Sequence, residues 1–158
     1  MENKKLVAVI MGSTSDKPVM SECTRHLDYF GIGYEEHILS AHRTADETAL
    51  FAKQAEKNGF KLIIAGAGMA AHLPGVIAAH TTLPVIGIPL SGSALNGVDA
   101  LYSIVQMPSG VPVATCAIGK AGAVNAAVLA AQILGLHNNE IKQKFIDFKK
   151  KGSKLPKP

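Results

Sequence analysis

LVAVIMGSTSDKPVMSECTRHLDYFG, residues 6–31, decides the fold. Its first six residues are apolar without alternation, the pattern of a strand covered on both faces in a parallel sheet, and they are expected to form the central strand. GSTSD then turns the chain, and Pro18 suits the first turn of a helix, where a missing N–H costs nothing. Met20, Cys23, Leu27 and Phe30 recur at helical spacing and point inward, and Gly31 supplies the stop. Strand, loop and helix follow in that order.

Outward from this unit the pattern repeats. Residues 34–39 read as strand and 46–58 as helix with Gly59 as its stop; residues 62–65 read as strand, followed by a helix through 74–80. A fourth strand over 84–88 leads into the Gly- and Ser-rich loop PLSGSALNG and a helix near 99–106, then a fifth strand over 111–115 and a long helix over 121–134. This alternation predicts an α/β fold with a parallel sheet and helices on both faces. In such sheets ligands gather at the carboxyl ends of the strands, near the point where strand order reverses. The helix AGAVNAAVLAAQIL is small and apolar nearly all round, so it is either a core helix or a subunit contact. Subunit contact is the expectation for so short a chain.

A length of 158 residues with 47% hydrophobic content supports one domain over 1–158, with a core at about 5–135 and a C-terminal helix and basic tail over 138–158. Much of the +4 net charge sits in that lysine-rich tail. The tail lacks the arginines of nucleic-acid grooves, so it reads as a solvated helix and a frayed end. Cys23 and Cys116 have no spacing that suggests a disulfide framework or a zinc site. The apolar run at the N-terminus is too short for a signal-peptide core or a membrane span. A cytoplasmic protein with no nucleic-acid or membrane partner is expected.

Three loops at strand ends carry the candidate chemistry. In GSTSD, residues 12–16, a glycine turn and hydroxyl side chains at a helix N-terminus suit a phosphate or sugar hydroxyls; helix capping by Ser15 or Asp16 is the alternative. In SAHRT, residues 40–44, His42 can move a proton near neutrality while Arg43 keeps its charge for an anion. GAGMAAHLPG, residues 66–75, places Gly66, Gly68 and Ala71 at the spacing of a dinucleotide fingerprint, but no acidic residue lies between 85 and 95 to meet a ribose. Glycines that let backbone approach a small planar ligand are the better reading. His72 is either a ligand contact or a helix-start residue. With no P-loop, nucleophile elbow or metal-spaced cluster, catalysis without a metal or cofactor is the default.

Taken together, GSTSD, SAHRT, GAGMAAHLPG, PVIGIP and GVDALYSIVQMPSGVPVATCAIGKAGAVNAAVLAAQIL resemble the N5-carboxyaminoimidazole ribonucleotide mutase family of purine biosynthesis, over about residues 6–134. The resemblance implies a flavodoxin-like three-layer αβα sandwich, a homo-octamer and no metal, ATP or other cofactor. It implies an isomerase that converts 5-carboxyaminoimidazole ribonucleotide to 4-carboxy-5-aminoimidazole ribonucleotide by decarboxylation and recarboxylation. Carried over by position, His42 looks like the general acid-base; Ser13, Ser15, Ser40 and Arg43 look like substrate contacts that include the phosphate site, and Asp16 the partner of the ribose hydroxyls. Ala67, Gly68, His72 and Leu73 would shape the pocket for the migrating carboxylate. Met69 stands where the family usually has Gly, and Ala45 where Pro is common; an effect on rate alone is expected. The tail from Phe145 onward is a candidate cover for a neighbouring subunit's site. The nearest rival is the related carboxylase branch, which joins free carbon dioxide to aminoimidazole ribonucleotide and whose third loop lacks the AAHLPG form. A flavin-carrying or phosphoacceptor module of the same fold is the rival from another class; the phosphoacceptor needs an Asp where the third strand here runs into Gly66.

Overall fold

The computed structural model describes residues 4–155. Among these residues the chain runs β1 (Lys5–Met11), α1 (Lys17–Phe30), β2 (Gly33–Ile38), α2 (Ala45–Gln54), β3 (Leu62–Gly68), α3 (Leu73–His80), β4 (Val85–Leu90), α4 (Val98–Val105), β5 (Ala114–Thr115), α5 (Lys120–Gly135) and α6 (Asn139–Lys150). The strands pair in parallel in the order β2-β1-β3-β4-β5. This is the expected flavodoxin-like α/β architecture, with β3 rather than β1 in the middle of the sheet.

Unbroken apolar runs belong in this sheet because both of its faces are covered. Val7, Val9 and Met11 join the core built with α1, α5 and α6, while Ala8 and Ile10 join the opposite core, beside α2, α3 and α4. A strand with two buried faces leaves no position for a polar residue. Helix α1 begins with Pro18 in its first turn and ends at Gly31, whose left-handed φ of 69° lets its N–H reach the Leu27 and Asp28 carbonyls. Met20, Cys23, Leu27 and Phe30 are all buried, as their spacing requires.

The structure departs from the sequence expectation at particular places. β3 extends three residues beyond the expected end at 65, so Gly66, Ala67 and Gly68 are strand and not loop, paired with Ile88, Pro89 and Leu90. A Cβ at Gly66 would stand 2.5 Å from Met20 Sδ, and one at Gly68 would stand 3.2 Å from the Leu90 carbonyl. Close packing therefore accounts for both glycines, whether or not a ligand is present. β5 shrinks to Ala114–Thr115, because Pro112 offers no N–H to a ladder and Gly110 turns the chain at a φ of 95°. Helix α2 stops at Gln54, and further turns carry the chain to Gly59.

The alanine face of α5 is used inside the chain. Gly122, Ala123, Ala126, Ala127, Ala130 and Ala131 are buried, and α5 packs chiefly on α1 and α6. Small side chains let these helices approach closely, so a second subunit is not needed to explain the composition. The segment from Phe145 onward packs in part on its own chain. Phe145 and Phe148 pack on this chain's own core, with Phe148 1% exposed and its ring 5.3 Å from that of Phe30. Residues 156–158 of the expected tail lie outside the described residues.

Candidate active site

Strand order reverses between β1 and β3: the chain leaves β1 for β2 on one side and continues from β3 to β4 on the other. The loops after these strands diverge and leave a crevice at their carboxyl ends. A cavity of about 520 Å³ opens there. Its lining brings together the residues that the resemblance marks as catalytic or substrate-binding: His42, Ser13, Ser15, Asp16, Ser40, Arg43, Ala67, Gly68, His72 and Leu73. The loop after β4 adds Ser91 and Gly92. Serine and glycine are ordinary loop residues, so composition does not single out Ser91 or Gly92; the loop's place after a strand is the signal that marks it.

The first turn is rigid before any ligand arrives. Ser13 caps the short 3₁₀ turn Thr14–Asp16, and its Oγ accepts from the Ser15 N–H at 3.3 Å and the Ser15 hydroxyl at 3.0 Å. Asp16 Oδ2 accepts the Ser13 N–H in return at 3.1 Å, which completes a capping box. Ser13 caps the 3₁₀ turn and Asp16 holds the N-cap position of α1 without a side-chain bond to that helix, so capping coexists with a place in the cavity wall. Burial holds the Asp16 carboxyl above its ordinary range, against the opposing pull of the Ser13 N–H.

The second loop is held by Ser40. Its Oγ accepts from the backbone N–H groups of Arg43 at 3.1 Å and His42 at 3.4 Å, so the hydroxyl shapes the turn that presents both side chains. Thr44 and Thr48, which the sequence reading left aside, secure Ser40 itself. Thr44 Oγ1 accepts the Ser40 N–H at 2.9 Å, and Thr48 Oγ1 donates to the Ser40 carbonyl at 3.2 Å. Arg43 is exposed and has no carboxylate partner among the described residues, which leaves its guanidinium free for an anion.

The third loop starts at Met69. Ala71 and His72 each donate an N–H two residues back, to the Met69 and Ala70 carbonyls at 2.8 Å, and this tight turn delivers His72 to the start of α3. His72 makes no cap bond with its side chain. Its Nδ1 instead lies 2.7 Å from His42 Nε2, and the two rings meet edge to face with centroids 4.8 Å apart. His72 is both a helix-start residue and a partner in the cavity. At 2.7 Å one nitrogen must donate and the other accept, so one proton is held between them.

A crevice of this kind marks the chain as a flavodoxin-like α/β enzyme suited to proton transfer on a small anionic molecule. The chain belongs to the AIR carboxylase family, whose model matches residues 6–154. It is similar to the N5-carboxyaminoimidazole ribonucleotide mutase of Escherichia coli K12, at 53% identity over 94% of this chain and 88% of that one. The protein of the same name from Pyrococcus horikoshii is 60% identical over 89% of this chain and 78% of that one. The Bacillus subtilis one is 58% identical over 88% and 86%. Among solved structures, that of Treponema denticola PurE superposes with a TM-score of 0.84 at 32% identity, covering 94% of this chain and 92% of the other.

No group of three metal-ligating side chains occurs among the described residues, and no helix there is long and apolar enough to cross a membrane. Cys23 is buried, and its thiol is pushed far up by desolvation, which suits packing and not nucleophilic chemistry.

Proposed function

We propose that this chain moves the carboxylate of N5-carboxyaminoimidazole ribonucleotide from the exocyclic nitrogen to the neighbouring ring carbon, as an isomerase of purine biosynthesis. The observation that carries the proposal is the His42–His72 pair, 2.7 Å apart, in the wall shared with Ser13, Ser15, Asp16 and Arg43. The mutase name of relatives at 53–60% identity supports it.

In this reading the phosphate sits against Ser13, Ser15 and Arg43. The Ser13 oxygen already accepts two bonds, so its own proton is free to donate to a phosphate oxygen. Asp16 has one carboxylate oxygen engaged by Ser13 and the other available to the ribose hydroxyls. Ser40 positions the second loop, and Ala67, Gly68, His72 and Leu73 surround the carboxylate.

His42 as imidazolium gives its proton to the exocyclic nitrogen. The carbon–nitrogen bond breaks with its electron pair left on nitrogen, and carbon dioxide departs. The electron-rich ring carbon then attacks carbon dioxide, forming the new carbon–carbon bond. Neutral His42 removes the hydrogen from that carbon, which restores aromaticity and returns the histidine to its starting state. No cofactor enters the balance. A positioned acid-base contributes roughly 10²–10⁴-fold, so holding carbon dioxide beside the ring must supply the rest.

The enzyme acts in the cytoplasm, as one catalytic domain repeated in a homo-octamer. The carboxylase reading is the alternative, and the mutase name that the relatives carry does not favour it. Metal-stripped enzyme without ATP is given either N5-carboxyaminoimidazole ribonucleotide or aminoimidazole ribonucleotide with bicarbonate, and the carbon-carboxylated product is followed by ultraviolet absorbance. Rapid product from the first supports the mutase. Turnover from the second alone would move the chain to the carboxylase reading.

A further inference from the structure

Thr44 holds the N-cap position of α2, yet its side chain makes no cap bond to that helix. A threonine there ordinarily accepts an N–H from the first turn, and forgoing that bond weakens the helix start. Its hydroxyl is engaged backwards instead. Oγ1 accepts the Ser40 N–H at 2.9 Å and donates to the Ser40 carbonyl at 3.2 Å, and the Thr44 N–H reaches the same carbonyl at 3.0 Å. The hydroxyl of Thr48, a fully buried residue, lies between the Ser40 and Thr44 carbonyls, at 3.2 Å and 2.8 Å. Ser40 is thus fixed at both of its backbone polar groups, and its Oγ holds the N–H groups of His42 and Arg43. Precision matters at the end of this chain of bonds, because His42 must meet His72, carried by a different element, at 2.7 Å. A displacement of the turn by about 1 Å would carry the pair beyond hydrogen-bond reach.

We propose that Thr44 is a positioning residue for the proton transfer: its hydroxyl, withheld from its own helix, fixes the turn that sets His42 in the cavity. The inference rests on the reading of His42 as the proton carrier of the mutase reaction, and it concerns a residue that does not itself line the cavity. Arg43 rides on the same turn, but its long side chain can follow a phosphate through a small shift. An imidazole on two rotatable bonds cannot.

The test measures kcat and KM for N5-carboxyaminoimidazole ribonucleotide in wild type, Thr44→Val and Thr44→Ser, with thermal melts to confirm folding and with Thr44→Val repeated in a His42→Asn background. Thr44→Val should lower kcat about 10- to 100-fold, the cost of a misplacement near 1 Å, with KM within about threefold of wild type. Thr44→Ser keeps the hydroxyl and should recover the rate. In His42→Asn no proton carrier is left to position, so there Thr44→Val should cost less than about twofold. A wild-type kcat in Thr44→Val overturns the proposal and leaves the mutase standing. So does a Thr44→Ser variant as slow as Thr44→Val, or an equal loss in both backgrounds, which would mark a general defect of the fold. Should Thr44→Val not fold, Ser40→Ala breaks the same chain of bonds at its next link: a comparable loss of kcat there supports the proposal, and a wild-type kcat overturns it. No product from wild type overturns the mutase reading and the role of Thr44 with it.

Discussion

Replacing Gly66 by alanine separates packing from ligand approach as the reason for a glycine at the end of β3. The new Cβ would lie 2.5 Å from Met20 Sδ, 3.1 Å from Met20 Cε and 3.3 Å from Leu90 Cδ1. Ordinary carbon contacts need about 3.5–4 Å, so the Met20 sulfur must withdraw by roughly 1 Å. Met20 is fully buried on α1, and overpacking such a core costs about 1–3 kcal/mol. Methionine's flexibility, and the small gain from replacing glycine inside a strand, place the net loss near 1–2 kcal/mol. For a chain of this size that is a fall in melting temperature of about 2–8 °C. Circular dichroism melts and the substrate KM are measured on the same preparation. KM should stay at the wild-type value, because Gly66 does not line the cavity. In a Met20→Ala background the clash is gone, and Gly66→Ala becomes neutral or stabilising, with a coupling of about 1–2 kcal/mol. A variant that melts like wild type while KM rises tenfold would refute the packing account. Equal destabilisation in both backgrounds would do the same.

Asp16→Asn should weaken substrate binding about tenfold by removing a charged acceptor, while its amide oxygen still caps Ser13. Burial raises this carboxyl in the fold above its ordinary value of 3.8, so the folded chain binds that proton more tightly than the unfolded one. Ionised Asp16 therefore works against folding, and its contribution to stability falls as pH rises from 3.8 through the raised folded value. The asparagine variant should melt at or above wild type near neutrality. On acidification, wild-type affinity for substrate should begin to fall above pH 3.8, and titration calorimetry should find that limb missing in the variant. Phe148→Ala removes a ring packed on Tyr29 and Phe30, and should cost about 3–5 kcal/mol with KM unchanged; a raised KM with an unchanged melt would instead return the tail to a role at a site.

The order of elements was legible because long apolar runs, Pro18 and Gly31 act locally, through burial and backbone geometry. Gly66 and Gly68 read as loop because glycine weakens an isolated strand, whereas here a Cβ would press on Met20 or on Leu90. That information sits in other segments of the chain. The middle position of β3 likewise depends on which way each crossover turns. At the site, the three loops were marked by residue type and by their place after strands, so all ten candidates lie in one cavity. The pairing of His42 with His72 was not legible, since thirty positions separate them and the turn at Met69 closes the gap. Thr44 and Thr48 act by holding Ser40, a role that leaves no chemical signature in the sequence.

The account turns on His42 as the carrier of the migrating proton, and single-turnover kinetics of His42→Asn with N5-carboxyaminoimidazole ribonucleotide test it most directly. Asparagine keeps the loop's backbone bonds to Ser40 but cannot exchange a proton near neutrality. The account predicts that the variant binds substrate within a few-fold of wild type while the chemical step slows by roughly 10²–10⁴. A chemical step that proceeds at the wild-type rate would contradict it, and would place the proton on another group in the cavity.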